Sequence, residues 1–334
     1  MTRPRRTLVD PASTPYYHCI GRCVRRAFLC GLDRYTGQDY SHRKAWMIER
    51  LGHLAEVFVI DVCAYAVMSN HYHLVLRLRP DLVQELSDED VMHRWSALYE
   101  LPLLVARHQR GELVSEAEQV AARARIEELR DRLADLSWFM RALNEWIARR
   151  ANAEDGCTGR FWEGRFKSQP LLDEAAVVTC MAYVDLNPVR AATAKTPETS
   201  DDTSIQARIQ RQRERQPLPV RLAPFQRRDS RHSASDLPIG FPDYLELVDW
   251  TGRAIVSGKR GFIDSETPNI LGRLGIDSEE FLRHMQQKRM GFRAAVGCAT
   301  SLREAAASFG KHHFQGIGTA LRLFGARSEP ATGT

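Results

Sequence analysis

Residues Val67–Leu78 read Val-Met-Ser-Asn-His-Tyr-His-Leu-Val-Leu-Arg-Leu, and this stretch decides the fold. Its apolar and β-branched composition predicts a strand, in which successive side chains point to opposite faces of a sheet. His71 and His73 therefore share one face, while Tyr72 and the alternating leucines that follow point into a core. With 11 histidines in 334 residues, chance alone gives roughly 0.4 His-x-His pairs. The pair is either a two-ligand metal site or two incidental histidines, and a partner elsewhere in the chain must decide.

The composition is that of an ordinary globular protein, with 43% hydrophobic and 27% charged residues, and the length of 334 residues allows two domains. The seven cysteines show neither a Cys-x-x-Cys pattern nor a disulfide framework, which predicts reduced thiols in the cytosol. The apolar runs are too short for a membrane span or a secretion signal, so we expect no membrane association.

The positive charge is concentrated in one segment. The formal net charge is +5, and residues Ile205–Arg231 hold eight arginines against two acidic residues, a local excess of +6. The same segment is rich in Gln, Pro and Ser and has no sustained apolar period, which predicts a flexible linker. Its charge serves either to attract phosphate or only to keep the linker soluble.

The first part of the chain predicts alternating strands and helices. We expect a strand at Tyr16–Val24 and then a helix capped by Ser41. Two further strands, Val57–Val67 and His71–Arg79, are separated by only three residues, Met68 to Asn70, which predicts a hairpin.

A long helical pattern follows the hairpin. Ser115 and Glu118 form a capping-box signature, and apolar residues recur at spacings of three and four from Ile126 to Ile147, which predicts one continuous buried stripe. The run Gly159–Ser168 then interleaves aromatic and basic residues. It is either an edge strand or a surface for single-stranded nucleic acid.

A last helix supplies a partner for the histidines. We expect Asp173 to cap it and Pro188 to end it near Asn187. Tyr183 and Asn187 are four residues apart and project from one helical face. If this face lies over the strand that bears the histidines, two imidazoles, an amide and a phenol meet, with coordination positions left for a phosphate.

These motifs together resemble those of the HUH single-tyrosine transposases, most closely the REP-associated tyrosine transposases and their relatives. The resemblance is carried by the Met-x-Asn-His-x-His-Leu pattern in Val67–Leu78, by Gly159–Ser168 and by Tyr183-Val184-Asp185-Leu186-Asn187-Pro188-Val189-Arg190. The motifs occur in the family's order and span about residues 15–195, which is far more specific than any one of them.

The resemblance implies an α+β fold with a ferredoxin-like antiparallel sheet and packed helices. It implies that His71 and His73 bind Mg²⁺ or Mn²⁺ and that Tyr183 is the nucleophile. Asn187 stands where relatives place a polar ligand, often Gln. The implied reaction is nicking and rejoining of hairpin-bearing single-stranded DNA through a 5′-phosphotyrosine, by a cytoplasmic, nucleoid-associated bacterial transposase that acts as a monomer or a homodimer.

Five residues of the aromatic and basic run are candidate DNA contacts. Arg160, Arg165 and Lys167 would hold the backbone, and Phe161 and Trp162 would offer stacking surfaces. Two alternatives to an enzyme stay open. One is a domesticated protein that binds hairpin DNA without cutting it; the other is a non-catalytic nucleic-acid module in which Phe161 and Trp162 stack on bases and the histidines are incidental.

We divide the chain into a catalytic domain at residues 1–195, a basic flexible linker at 196–240 and a helical accessory domain at 241–334. Asp277 and Glu280 predict a helix start in the accessory domain. Residues Leu302–Leu321 form either a helix-turn-helix with Gly310 in its turn or a helical bundle that serves only packing.

Overall fold

The computed structural model of this chain describes residues 9–325, apart from residue 12 and residues 25–28, 34–36, 228–235, 258–266, 288–291 and 293. Within these residues, a four-stranded antiparallel sheet has the order β2-β3-β1-β4. The strands are β1 (Tyr16–Arg22), β2 (Ile60–Val67), β3 (His71–Leu78) and β4 (Lys167–Leu171). Helix α1 (Arg43–Val57) lies between β1 and β2, and helices also connect β3 to β4. This order confirms the α+β fold with a ferredoxin-like antiparallel sheet.

The predicted hairpin is confirmed. Val67 pairs with Tyr72 across β2 and β3, and the backbone N–H of Met68 donates to the carbonyl of His71 at 2.9 Å. The first strand ends at Arg22, two residues earlier than expected. Helix α1 begins after His42, whose side chain makes no capping bond, and Ser41 instead donates its hydroxyl to Asp39. The prediction that Ser41 caps this helix is therefore wrong.

Five helices connect β3 to β4, in the described residues. They are α2 (Pro80–Val83), α3 (Asp88–Ser96), α4 (Leu103–Gln109), α5 (Glu116–Leu133) and α6 (Leu136–Glu154). The capping box of Ser115 and Glu118 is present at the start of α5. The expected continuous helix is broken after Leu133, because the Asp135 carboxylate accepts from the Trp138 N–H at 2.9 Å and so starts a second helix.

Strand alternation gives the sheet two different faces. Tyr72, Leu74 and Leu76 on one face join a buried cluster with α1 and α6. Val75 on the other face joins a second cluster, built largely from helix α7 (Glu174–Asp185) and from helices nearer the C-terminus. Full burial of one leucine stabilises a fold by about 1.5–3 kcal/mol. Both faces are therefore held by apolar packing, and helix layers cover the sheet on each side.

Helix α7 follows β4 directly and begins as predicted. The Asp173 carboxylate accepts from the Ala176 N–H at 2.9 Å. The helix ends at Asp185, slightly before the expected position, and Asn187 and Pro188 lie in the next short helix, α8 (Asn187–Arg190). The predicted strand within Gly159–Ser168 forms only at its end, where β4 starts.

The expected flexible linker contains a packed helix, which corrects the prediction for that part of residues 196–240. Helix α9 (Ser204–Glu214) follows a short 3-10 turn at Pro197–Thr199 and buries Ile205, Arg208 and Ile209. Arg208 donates to the carbonyls of Cys63 and Ala223, so this arginine is part of the interior. The sequence of this stretch is typical of a linker because its few apolar residues are outnumbered by charged ones on the exposed side of the helix.

The remaining described elements are mostly helical, as predicted. They are β5 (Phe225–Gln226), β6 (Leu237–Gly240), α10 (Phe241–Ser257), α11 (Asn269–Arg273), α12 (Ser278–Met285), α13 (Ala299–Ser308) and α14 (Ile317–Leu323). The Asp277 carboxylate caps α12. Gly310 lies between α13 and α14 with φ +60°, and the role of this pair in DNA reading stays a prediction.

The C-terminal helices and α7 pack into one hydrophobic cluster. A buried carboxylate reinforces this contact: Asp185 at the end of α7 accepts from the backbone N–H of Ile205 at 2.9 Å and from the Tyr244 hydroxyl at 2.6 Å. Burial raises the pKa of Asp185 to about 6. The three-domain division stays a prediction, and the C-terminal helices share their packing with the helix that bears Tyr183.

Candidate functional site

Strand β3 places the two histidines on the sheet face that α7 covers. His71 pairs with Arg22 and His73 with Ile20 across β1, and directly opposed residues in an antiparallel pair point to the same face. The ring centroids of His71 and His73 are 5.0 Å apart. Tyr72 lies on the opposite face, where its hydroxyl donates to Asn144 at 2.6 Å.

Helix α7 brings Tyr183 onto these histidines. The ring centroids of Tyr183 and His73 are 6.0 Å apart, in an edge-to-face arrangement. Tyr183 is 4% exposed and His73 is 5% exposed. The structure thus joins the tyrosine and the histidine pair across more than a hundred residues of sequence, as the motifs predict. Their chemical roles stay predictions.

Asn187 lies one helical turn beyond Tyr183, as the first residue of α8. It is buried. Its position after the break between α7 and α8 differs from the uninterrupted helix that the sequence predicts. Ligation of a metal by its side-chain oxygen stays a prediction.

A third histidine, which the sequence analysis missed, stands beside the pair. His18 of β1 is 1% exposed, and its Nε2 lies 2.9 Å from His73 Nδ1. On its other side, His18 Nδ1 lies 3.3 Å from the side-chain oxygen of Gln169 on β4. The alternation of the first strand could have placed His18 on a face, but only the pairing of β1 with β3 and β4 identifies the face and the neighbours.

Arg190 was also missed, and it is the nearest cation to the tyrosine ring among the contacts described. Its Cζ lies 3.8 Å from the centroid of the Tyr183 ring, a cation–π arrangement. Arg190 Nε donates to the carbonyl of Met285 at 2.6 Å, and a terminal nitrogen donates to the carbonyl of Gln287. The spacing of seven residues from Tyr183, two helical turns, is the signal that could have suggested this contact.

Burial keeps the site imidazoles neutral. It lowers the pKa of His71 to about 4, with a further contribution from the charges of Arg22 and Arg190. Burial also lowers the pKa of His18 to about 4 and that of His73 well below its usual value. An imidazole binds a metal only in its neutral form, so burial favours the protonation state that a metal-binding histidine needs.

The donor set suits a metal that accepts both nitrogen and oxygen ligands. In the described part of the chain, no group of three or more His, Cys, Asp or Glu side chains is placed to hold a metal ion. If a metal binds here as the motifs predict, His71 and His73 would supply two ligands, and oxygens from Asn187 or a bound phosphate would supply the others. Mn²⁺ tolerates such a mixture better than Mg²⁺, which favours oxygen alone.

The five predicted DNA contacts separate into two groups. Phe161 is 2% exposed, and the Trp162 indole N–H donates to the carbonyl of Asn144 at 2.8 Å. Both rings belong to the apolar cluster around Tyr72, so Phe161 offers no stacking face and that part of the prediction is corrected. Arg160, Arg165 and Lys167 are exposed. Lys167 pairs with Ile20 and so lies on the same sheet face as His73.

The fold and site define a class of α+β protein with a histidine pair and a tyrosine at a sheet–helix interface. Among solved structures, the chain is similar to a REP-associated tyrosine transposase bound to a REP hairpin, with 12% sequence identity and a TM-score of 0.36. The match covers 72% of this chain and 99% of the other. No family model matches the sequence, and no curated protein matches it. Because this structural relationship is distant, we argue function from the residues of the chain itself.

None of the helices in the described residues is long and apolar enough to cross a membrane.

Proposed function

We propose that this protein is a metal-dependent enzyme that nicks and rejoins single-stranded DNA through Tyr183. One observation carries the proposal: the 6.0 Å separation between the rings of Tyr183 and His73, two residues that the HUH-like motifs single out. Two neutral imidazoles beside a phenol, on a face with the exposed Lys167, form a site suited to phosphate chemistry. Hairpin-bearing DNA as the substrate follows from the motif resemblance.

The reaction is a transesterification. Tyr183 Oη loses its proton and attacks the scissile phosphorus, so an Oη–P bond forms while the bond from phosphorus to the 3′-oxygen breaks. The products are a 5′-phosphotyrosine and a DNA strand with a free 3′-hydroxyl, which takes up a proton. The covalent link conserves the bond energy for the reverse attack, so rejoining requires no nucleotide.

His71 and His73 would hold the metal, with Asn187 as a third ligand. A bound Mn²⁺ or Mg²⁺ would supply positive charge next to the phosphate oxygens, which is worth several kcal/mol in the transition state. Arg190 adds a second positive charge over the face of the tyrosine ring. Because Arg190 is tied to two backbone carbonyls of the C-terminal region, its guanidinium is already ordered before DNA binds.

The burial of Tyr183 sets a condition on this mechanism. At 4% exposure, its ring offers little surface to an incoming strand. We expect a local movement around Tyr183 when DNA binds, as occurs in a substantial minority of complexes.

A nicking assay tests the proposal. Purified protein with Mn²⁺ is incubated with a library of hairpin-bearing oligonucleotides labelled at the 3′ end, so that a covalent adduct carries the label. We expect a labelled protein band for the wild type and none for Tyr183→Phe. Tyr72→Phe, which removes a buried tyrosine hydroxyl from the opposite sheet face, is the matched control and should still form the adduct.

The alternatives give different results in the same assay. A protein that only binds hairpins would retain DNA affinity but form no adduct with any member of the library. A non-catalytic module would bind DNA or RNA equally well after Tyr183→Phe and without metal. An adduct that persists in Tyr183→Phe would show that another residue is the nucleophile.

A further inference from the structure

A chain of hydrogen bonds runs across the sheet from the C-terminal region to His73. The Gln169 side-chain nitrogen donates to the backbone carbonyl of Phe292 at 2.8 Å. The Gln169 side-chain oxygen lies 3.3 Å from His18 Nδ1, and His18 Nε2 lies 2.9 Å from His73 Nδ1. The two imidazoles are 1% and 5% exposed, so these bonds are shielded from solvent.

The backbone carbonyl of Phe292 fixes which atom donates and which accepts in each of these hydrogen bonds. A backbone carbonyl can only accept, so the Gln169 nitrogen must face Phe292 and the Gln169 oxygen must face His18. An amide oxygen also only accepts, and His18 Nδ1 therefore carries the proton. The neutral His18 ring then has its lone pair on Nε2, which leaves His73 Nδ1 as the donor of the last bond.

We propose that Gln169 and His18 are positioning residues that hold His73 with its proton on Nδ1 and its lone pair on Nε2. His18 is not itself a ligand, because both of its nitrogens are committed to neighbours. The nitrogen of His73 that remains for a ligand is Nε2. This inference deepens the proposed function, since it assigns the groups that make His73 ready to bind a metal.

His71 obtains the same tautomer from a local bond. Its Nδ1 lies 2.7 Å from the side-chain oxygen of Asn70, the preceding residue in the hairpin. The oxygen accepts, so Nδ1 carries the proton and Nε2 the lone pair. Both histidines of the pair thus present the same ring nitrogen, one through a neighbour in sequence and the other through residues of three separate segments.

This series of hydrogen bonds also gives the C-terminal region a role at the site. Phe292 follows α12, in the same region whose carbonyls at Met285 and Gln287 hold Arg190. One polar connection from this region reaches His73, and another reaches the ring of Tyr183. Hydrogen-bond partners behind a metal-binding histidine typically matter by 10–100-fold in metal affinity.

The tautomer of His73 can be read directly in metal-free protein labelled with ¹⁵N-histidine. Two-dimensional ¹H–¹⁵N spectra distinguish a protonated ring nitrogen from one with a lone pair, and His73→Gln assigns the signals. We expect His73 in the wild type to be protonated at Nδ1. Protonation at Nε2 in the wild type would overturn the inference. This measurement does not depend on whether variants of Gln169 or His18 fold.

Variants then test the relay, by which we mean the hydrogen bonds that link Gln169, His18 and His73. Gln169→Leu removes the acceptor that orients His18, and His18→Leu removes the acceptor that faces His73. We expect each to shift His73 toward the other tautomer and to weaken Mn²⁺ binding by about 10–100-fold in calorimetry. His18→Gln offers an amide oxygen in place of Nε2 and should restore part of both properties. Tyr72→Phe, adjacent to His73 on the opposite face, should change neither.

The outcomes separate this inference from the proposed function. If Gln169→Leu and His18→Leu leave the His73 nitrogens unchanged, the relay is refuted even where the wild type nicks DNA. If the wild type shows the expected tautomer and the variants shift it, the relay holds even where no oligonucleotide is cut, and only the proposed reaction fails.

Discussion

The two faces of the sheet use the same strands for opposite purposes. His73 and Tyr72 are neighbours in sequence, yet His73 joins a polar network with His18 and Gln169 while Tyr72 joins an apolar cluster with α1 and α6. The apolar face also holds a polar bond, from the Tyr72 hydroxyl to Asn144 on α6, but it is a single contact within an apolar cluster. On the site face, by contrast, His73, His18 and Gln169 form a connected series of polar contacts.

This contrast teaches where stability and chemistry reside in the fold. Apolar packing does not depend on which atoms carry protons, whereas a buried polar network needs every hydrogen-bond donor matched to an acceptor. We therefore expect substitutions on the apolar face to change the free energy of unfolding, and substitutions on the site face to change metal binding, nicking and the response to pH.

The largest effect is expected from His71→Ala on the site face. Loss of one imidazole ligand should reduce the nicking rate by about 10³-fold, because a metal contributes several kcal/mol to the transition state. His71 is partly exposed, so the fold should persist. Single-turnover nicking at saturating Mn²⁺ measures the rate, and a rate within threefold of the wild type would contradict the role of His71.

The response to acid should come from the side of the sheet that α7 and the C-terminal helices cover. Burial, with the nearby charge of Arg190, lowers the pKa of His284 to about 4. An imidazole with a lowered pKa stabilises the fold fully above its unfolded value near 6.5, and this contribution is lost as the pH falls toward 4. For His284 alone the loss amounts to about 3 kcal/mol.

His284→Leu should remove this contribution. The side chain is 3% exposed, and within the described residues its Nε2 has no hydrogen-bond partner. Replacement by leucine therefore breaks no hydrogen bond at that nitrogen. Urea unfolding at pH 7 and pH 4 should show a smaller difference in unfolding free energy for the variant than for the wild type. If the unfolding free energy changes equally between pH 7 and pH 4 in the two proteins, His284 does not contribute to the loss of stability in acid.

A packing change tests the apolar face. A methyl group at Gly21 would overlap the buried ring of Tyr72, its partner across β1 and β3. Gly21→Ala should therefore lower the unfolding free energy by about 2 kcal/mol. Gly164→Ala is the control, because nothing lies within 4 Å of the added atom. Similar urea midpoints for the two variants would mean that the Tyr72 ring can move to accommodate the added methyl group.

A smaller effect is expected for Tyr72→Phe. The variant loses the hydroxyl that donates to Asn144 but keeps the ring, so the unfolding free energy should fall by about 1 kcal/mol. Nicking by the folded protein should stay as in the wild type. Thermal unfolding and the nicking assay together measure this, and a large loss of nicking would show that the two faces are coupled.

The smallest effect concerns DNA affinity. Lys167 is exposed on the site face, and Lys167→Gln should weaken single-stranded DNA binding while lowering the slope of log affinity against log salt by about 0.7, one phosphate contact. Fluorescence anisotropy over a range of salt concentrations measures the slope. An unchanged slope would place the DNA backbone away from β4.

Local stereochemistry explains what could be predicted. The alternation of β3 separated His71 and His73 from Tyr72, and the caps at Ser115 and Asp173 marked real helix starts. The prediction failed where a local signal was hidden, as at Asp135, which splits the long helix, and in α9, whose apolar residues are few. It also failed for Phe161, because exposure depends on what packs against a ring.

The sequence by itself determined which residues share a face of a strand or helix, since that depends only on backbone geometry. It also singled out Tyr183 and the histidine pair through their motifs. Only the tertiary structure decided that α7 covers the histidine face and that His18, Gln169 and Arg190 complete the site. These contacts join residues that are 55 and 151 positions apart, and their pairing depends on strand order and register rather than on any local pattern.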